Sequence, residues 1–158
     1  MNISLAVSYT SSQHAYNTTG HDPRAAKLFD RAYRNPCPTR FQQWLGRTIQ
    51  PLLHLDDVLA HGSLNHRHHD GTRAIAVNQI HGTLNRGDDF DYNFRPLKNA
   101  IQQRWRSVAT AMMHEISLPP IEVIQIGEAY FVKDGHHRIS VARALGCDYL
   151  DAVVEVWH

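Results

Sequence analysis

Cysteine is scarce. Only Cys37 and Cys147 carry thiols in the 158 residues, far apart and in no CxxC spacing, so neither a disulfide scaffold nor a zinc ribbon is indicated. A reducing cytoplasm is the expected compartment. Long apolar runs are missing too: none approaches the ~20 residues that span a bilayer. The opening MNISLAVSYTSSQHAYNTTG lacks the basic flank and long apolar stretch of a secretory signal, so a soluble protein without membrane partners is expected. Net charge is nearly absent, 16 Lys+Arg against 15 Asp+Glu, which favours neither a strongly basic nucleic-acid binder nor an acidic tail. At ~100–200 residues per domain, the length leaves no room for a second large domain.

Histidine is plentiful, 12 in all, and crowds into His61, His66, His68, His69, His81 and His136-His137. Metal binding, phosphate binding and pH sensitivity all stay open on that count. With 42% hydrophobic and 20% charged residues, the chain can bury a working core.

Residues 1–21, rich in Ser, Thr, Asn and Tyr, read as an arm. A helix can start at Asp22 as N-cap with Pro23 in the first turn and Ala25, Ala26, Leu28, Phe29 and Ala32 as its apolar stripe. Asn35-Pro36-Cys37-Pro38 ends it, and Thr39 caps a further candidate through Phe41, Trp44 and Leu45. Leu52 to Leu59 is another short apolar segment, so residues 1–60 form an arm and a helical segment. Residues 61–73, HGSLNHRHHDGTR, show no apolar periodicity and read as a His-rich exposed linker. Beyond it, Ala74 to Val77 is a strand candidate, followed by Ile80 and the long polar loop HGTLNRGDDFDYNFRP. Pro96 opens a helix whose stripe is Leu97, Ile101, Trp105, Val108 and Met112, ending near Pro119-Pro120. Ile121–Ile126 and Ala129–Lys133 around Gly127-Glu128 predict a hairpin. Helix then follows to a Gly146 C-cap, and Asp151 to Trp157 is a last strand. This order predicts an α+β fold, a small mixed sheet with packed helices behind a helical N-terminal segment.

The most informative stretch is Tyr130-Phe131-Val132-Lys133-Asp134-Gly135-His136-His137-Arg138, where a strand runs into a helix start. The first amides of a helix lack intrahelical partners and carry the positive end of its dipole, so such an end attracts anions. Gly135 permits close backbone approach, Asp134 is placed to cap, and His136, His137 and Arg138 gather donors at one point. A phosphate is the natural ligand. A plain capped turn with a solvated basic triplet remains the alternative.

YFVKDGHHRISVARALG followed by DAVVEV resembles the second signature of the ParB/sulfiredoxin-like superfamily. AIAVNQI resembles its opening strand, the segment around Asn85-Arg86 its first arginine box, and LPPIEV its entry to the next strand, so that residues 74–158 are read as the family domain. HGTLNRGDDFDYNFRP with DGHHR is further similar to ParB-like bacterial proteins of unassigned role. The resemblance implies a nucleotide-phosphate site at Gly135, His136, His137 and Arg138, joined by Arg86, with Asp134, His136 and His137 in catalytic positions. Only the glycine and final arginine persist from the G-E-R-R of partition proteins. His136 stands where sulfiredoxin carries its reactive cysteine, which argues against sulfinic-acid reduction. The D-G-H-x-R of the free-serine kinase is nearer, although no clear counterpart of that kinase's upstream glutamate is found.

Arg86 or Arg95 is placed to reach phosphates while Asp88, Asp89 or Asp91 hold Mg²⁺, an arrangement that suits phosphoryl transfer; a solvated acidic turn anchored by Phe90 and Phe94 is the alternative. His66, His68, His69 and Asp70 offer metal ligands, with adventitious binding on a polar linker as the plainer reading. Arg24, Lys27, Arg31, Arg34, Arg40 and Arg47 form a modest basic set that tracks a nucleic-acid backbone or simply faces solvent. Trp44 and Trp105 read as packing residues.

The expected function is therefore a nucleotide-binding domain, using a nucleoside tri- or diphosphate with Mg²⁺, as an NTPase or small-molecule phosphotransferase. A DNA-associated partition, regulatory or nuclease module is the second reading; partition proteins continue into a helix-turn-helix, whereas this sequence stops at His158. A non-catalytic interaction domain is the third.

Overall fold

The structure, a computed structural model, describes residues 22–33, 52–59, 66–84 and 88–158. The arm, the segment from Thr39 to Leu45, and Arg86 lie outside the described residues.

Among the described residues, four helices accompany one mixed sheet: α1 (Pro23–Tyr33), β1 (Leu53–His54), α2 (Leu55–Leu59), β2 (Arg67–Ala76), β3 (Ile80–Thr83), α3 (Gln102–Met113), β4 (Ile121–Ile126), β5 (Ala129–Asp134), α4 (His136–Leu145) and β6 (Tyr149–Trp157). The strand order is β1-β3-β5-β4-β6-β2. β1, β3 and β5 run parallel, the β4–β5 hairpin is antiparallel, β4 and β6 are parallel, and β2 closes the edge antiparallel to β6. This is the expected α+β layer.

Strand alternation decides which residues meet the helices. Val123, Val132 and Val154 turn to the face covered by α1, α3 and α4, where Phe29, Trp105 and Ile139 fill the main core. Ile124 and Phe131 turn to the other face and pack with Leu55 and Trp157 in a smaller cluster. Phe29 meets Trp105 edge to face at 5.4 Å, and the Trp105 indole donates to Ser140 Oγ at 2.8 Å, joining α1, α3 and α4. Asp22 caps α1 by accepting from the Arg24 amide at 2.8 Å.

Several local expectations are corrected. Residues 67–73 are the first part of β2, paired with β6 from Arg67↔Trp157 onward. Their side chains stay exposed, which is why the sequence reads as linker: an edge strand held by its backbone needs no apolar alternation. The N-terminal segment contributes strand β1 as well as helix. His81-Gly82-Thr83 belong to β3 rather than to a loop, because Gly82 lets the strand pass close against the Phe131 ring. Pro96 does not open α3. A bridge between Phe90 and Pro96 and the Leu97 amide bonded to the Asp89 carbonyl at 2.9 Å keep this stretch extended, and α3 begins after one 3₁₀ turn at Asn99–Ile101.

Candidate functional site

β5 ends at Asp134 and the chain turns into α4 through Gly135, whose φ of 111° lies in the left-handed region. A side chain there would also be driven into Ile121, 2.5 Å from its Cγ2. Gly135, not Asp134, is the N-cap residue, so the capping position itself supplies no side-chain acceptor. Asp134 instead pairs with Arg138 at 2.7 Å, one helical turn on.

Arg138 is thereby committed. Its guanidinium donates to the carbonyls of Pro119 and Pro120 as well as to Asp134, fastening α4 to the entry of β4. The sequence suggested a phosphate-gripping arginine; the fold uses this one as a bracket across the corner. His136 is turned inward, buried, with its Nε2 sharing a 2.7 Å hydrogen bond with the buried Thr83 hydroxyl. His137 faces the other way, onto a cleft.

That cleft has a volume of about 740 Å³ and lies between α3 and the β5–α4 corner. Gln103, Arg104 and Ser107 line it from α3, opposite His137 and Arg138. Its charges largely pair off: Asp134 with Arg138, and Glu122 with Lys133 at 3.8 Å. Arg104 has no ion-pair partner among the described residues. Burial first, then the Arg104 charge, pushes His137 down to about 4, so its imidazole is neutral at pH 7. Its Nδ1 is buried with no hydrogen-bond partner among the described residues.

The 88–98 loop folds over the same helix start. Phe90 stacks near His136 at 6.1 Å and Phe94 lies 6.4 Å from it, so both act as hydrophobic anchors. Two of the three aspartates are otherwise employed, while Asp88 is exposed. Asp91 is buried and its Oδ1 accepts from the amides of Asn93 and Arg95, at 2.9 and 2.8 Å; Asp89 pairs with Lys98 at 2.9 Å. These contacts do not fit a Mg²⁺ site built on this loop. Among the described residues, no group of three or more His, Cys, Asp or Glu side chains is disposed to hold a metal, the His66–Asp70 stretch included. Trp105 is a core residue, and Trp44 lies outside the described residues.

No protein-family model matches this chain, and no curated protein matches it in sequence. The chain is similar to a solved structure, that of sulfiredoxin from Arabidopsis thaliana, with a TM-score of 0.41 and 18% identity, over 52% of this chain and 82% of that one. Among the described residues, no helix is long and apolar enough to cross a membrane.

In the sequence Arg104 is masked by the apolar stripe of its helix, Leu97, Ile101, Trp105, Val108 and Met112. The available signal was the polar set on the same helix, Gln103, Arg104 and Ser107, whose spacing puts residues 103, 104 and 107 on neighbouring positions of one face.

Proposed function

We propose that the chain binds a nucleotide, with its phosphates in the cleft between α3 and the β5–α4 corner. The observation that carries this reading is the Arg104 guanidinium, without an ion-pair partner among the described residues, across the cleft from His137 and Arg138 in the first turn of α4. A helix start and an arginine together favour a compact anion, and a cleft of about 740 Å³ suits a ligand of nucleotide size. His137, neutral at pH 7, lines the same cleft without adding charge.

Phosphoryl transfer is the more demanding reading. It would call on Asp134 and His137, yet Asp134 is held by Arg138 and the 88–91 carboxylates do not make a metal site. Binding, not transfer, is the function the geometry supports best. Any Mg²⁺ would arrive with the nucleotide's own phosphates, as this ion commonly keeps most of its shell in water and phosphate oxygens.

Equilibrium titration with ATP, ADP and CTP, with and without Mg²⁺, tests the proposal on the full chain and on Arg104→Ala. Arg104 is exposed, so the variant should keep the wild-type unfolding midpoint. An affinity at least about tenfold weaker is expected on losing one charge-assisted contact. Equal affinities in the two proteins would overturn the site.

A further inference from the structure

We infer that the opposite end of α4 carries a second binding surface, a groove for single-stranded nucleic acid. Two cavities of about 360 and 660 Å³ adjoin at Asn93 and Arg143, which line both, and together they make up the groove. Its first half is cationic, lined by Arg31 of α1, Arg95 and Arg143. Its second half is aromatic, lined by Tyr92 and Tyr149, which are 47% and 65% exposed and rank among the few large apolar side chains left in solvent.

The turn that presents these groups is held under strain. Phe94 is buried with φ of 58°, a conformation costly for a bulky residue. Asp91 enforces it through the amides of Asn93 and Arg95, and the Arg143 guanidinium lies 4.9 Å above the Phe94 ring. The outcome is that Tyr92 and Arg95 both face the groove from one rigid turn. Arg143 is anchored by the carbonyls of Val77 and Ile80, whereas Arg31 and Arg95 have no ion-pair partner among the described residues. One acidic residue, Asp148, lines the aromatic half, so the phosphates belong at the arginine end.

Cations tracking a backbone beside exposed rings that accept stacked bases are the chemistry of single-strand recognition. A duplex would hide its base faces from Tyr92 and Tyr149. The combined groove also exceeds what one mononucleotide fills, and two rings invite two successive bases.

Fluorescence anisotropy with labelled oligothymidylate and oligouridylate of about ten nucleotides tests this on the full chain, at rising salt. Binding that falls steeply with salt is expected, with Tyr149→Ala weakening it about fivefold or more. An Arg31→Ala/Arg95→Ala double variant should weaken binding and flatten the salt slope, while Arg104→Ala leaves it unchanged. The two oligomers distinguish DNA from RNA. The inference is overturned by absence of binding at low salt, by equal affinity for the matching duplex, by an unaffected double variant, or by loss in Arg104→Ala, which would place the strand in the other cleft. Circular dichroism confirms that each variant is folded.

Discussion

The ring of Phe90 stands edge-on to the imidazole of His137, centroids 5.4 Å apart and planes at 85°. The same ring lies nearly parallel to His136, so one side chain from the 88–98 loop covers both histidines of the helix start. Phe90 is 2% exposed, and Phe90→Ala should destabilise the fold by about 3–5 kcal/mol. Urea denaturation measures it; a loss below about 1 kcal/mol would mean the loop is not packed on α4.

Acid should weaken the fold through His137. Its pKa is about 4 in the folded chain against 6.5 for a free imidazole, so the unfolded state takes up the proton first. The stabilisation is fully present above pH 6.5 and is lost as the pH falls toward 4, up to about 3 kcal/mol in size. Thermal midpoints across that window should drop in the wild type and less in His137→Gln. Parallel curves would show that another group titrates.

Two glycines with positive φ should respond differently to alanine. At Gly135, φ of 111° is combined with a collision against Ile121, so Gly135→Ala should cost well over about 2 kcal/mol. At Gly146, φ is 76° with open space around it, and only the backbone penalty of about 1 kcal/mol applies. Similar unfolding midpoints for the two variants would contradict this.

Arg138 and Asp134 touch, yet their removal should not be equivalent. The Asp134 side chain is 63% exposed, and losing its ion pair in Asp134→Asn should cost less than about 1 kcal/mol. Arg138→Ala also strips the Pro119 and Pro120 carbonyls of a charged donor, with an expected loss of about 2–3 kcal/mol. Chemical denaturation of both variants decides, and equal losses would remove the bracket role.

The readable parts of the sequence were those with local causes. The 121–134 hairpin, α4 with Gly146 behind it, and the final strand follow from turn residues and apolar periodicity within a few positions. The partly hidden parts depend on distant partners. β2 starts in RHHDGTR, whose only structural instruction is a backbone ladder to residues some 80 positions away. At the site, Gly135 as a special backbone position and the Phe90 and Phe94 anchors were legible. The employment of Arg138 was not, since its carbonyl partners belong to Pro119 and Pro120 and carry no side-chain signal. Asp91 likewise looked like a cation ligand because nothing local announces the turn it organises.

β6 lies between β4 and β2, although it is the last strand to be synthesised. During translation, therefore, the edge strand β2 must wait, without its ladder partner, until residues 149–157 have left the ribosome. Closure of so non-local a pairing is slow, and the waiting strand is an opening for aggregation. The exposed charges and histidines of residues 67–73 then act as guards over the nascent chain.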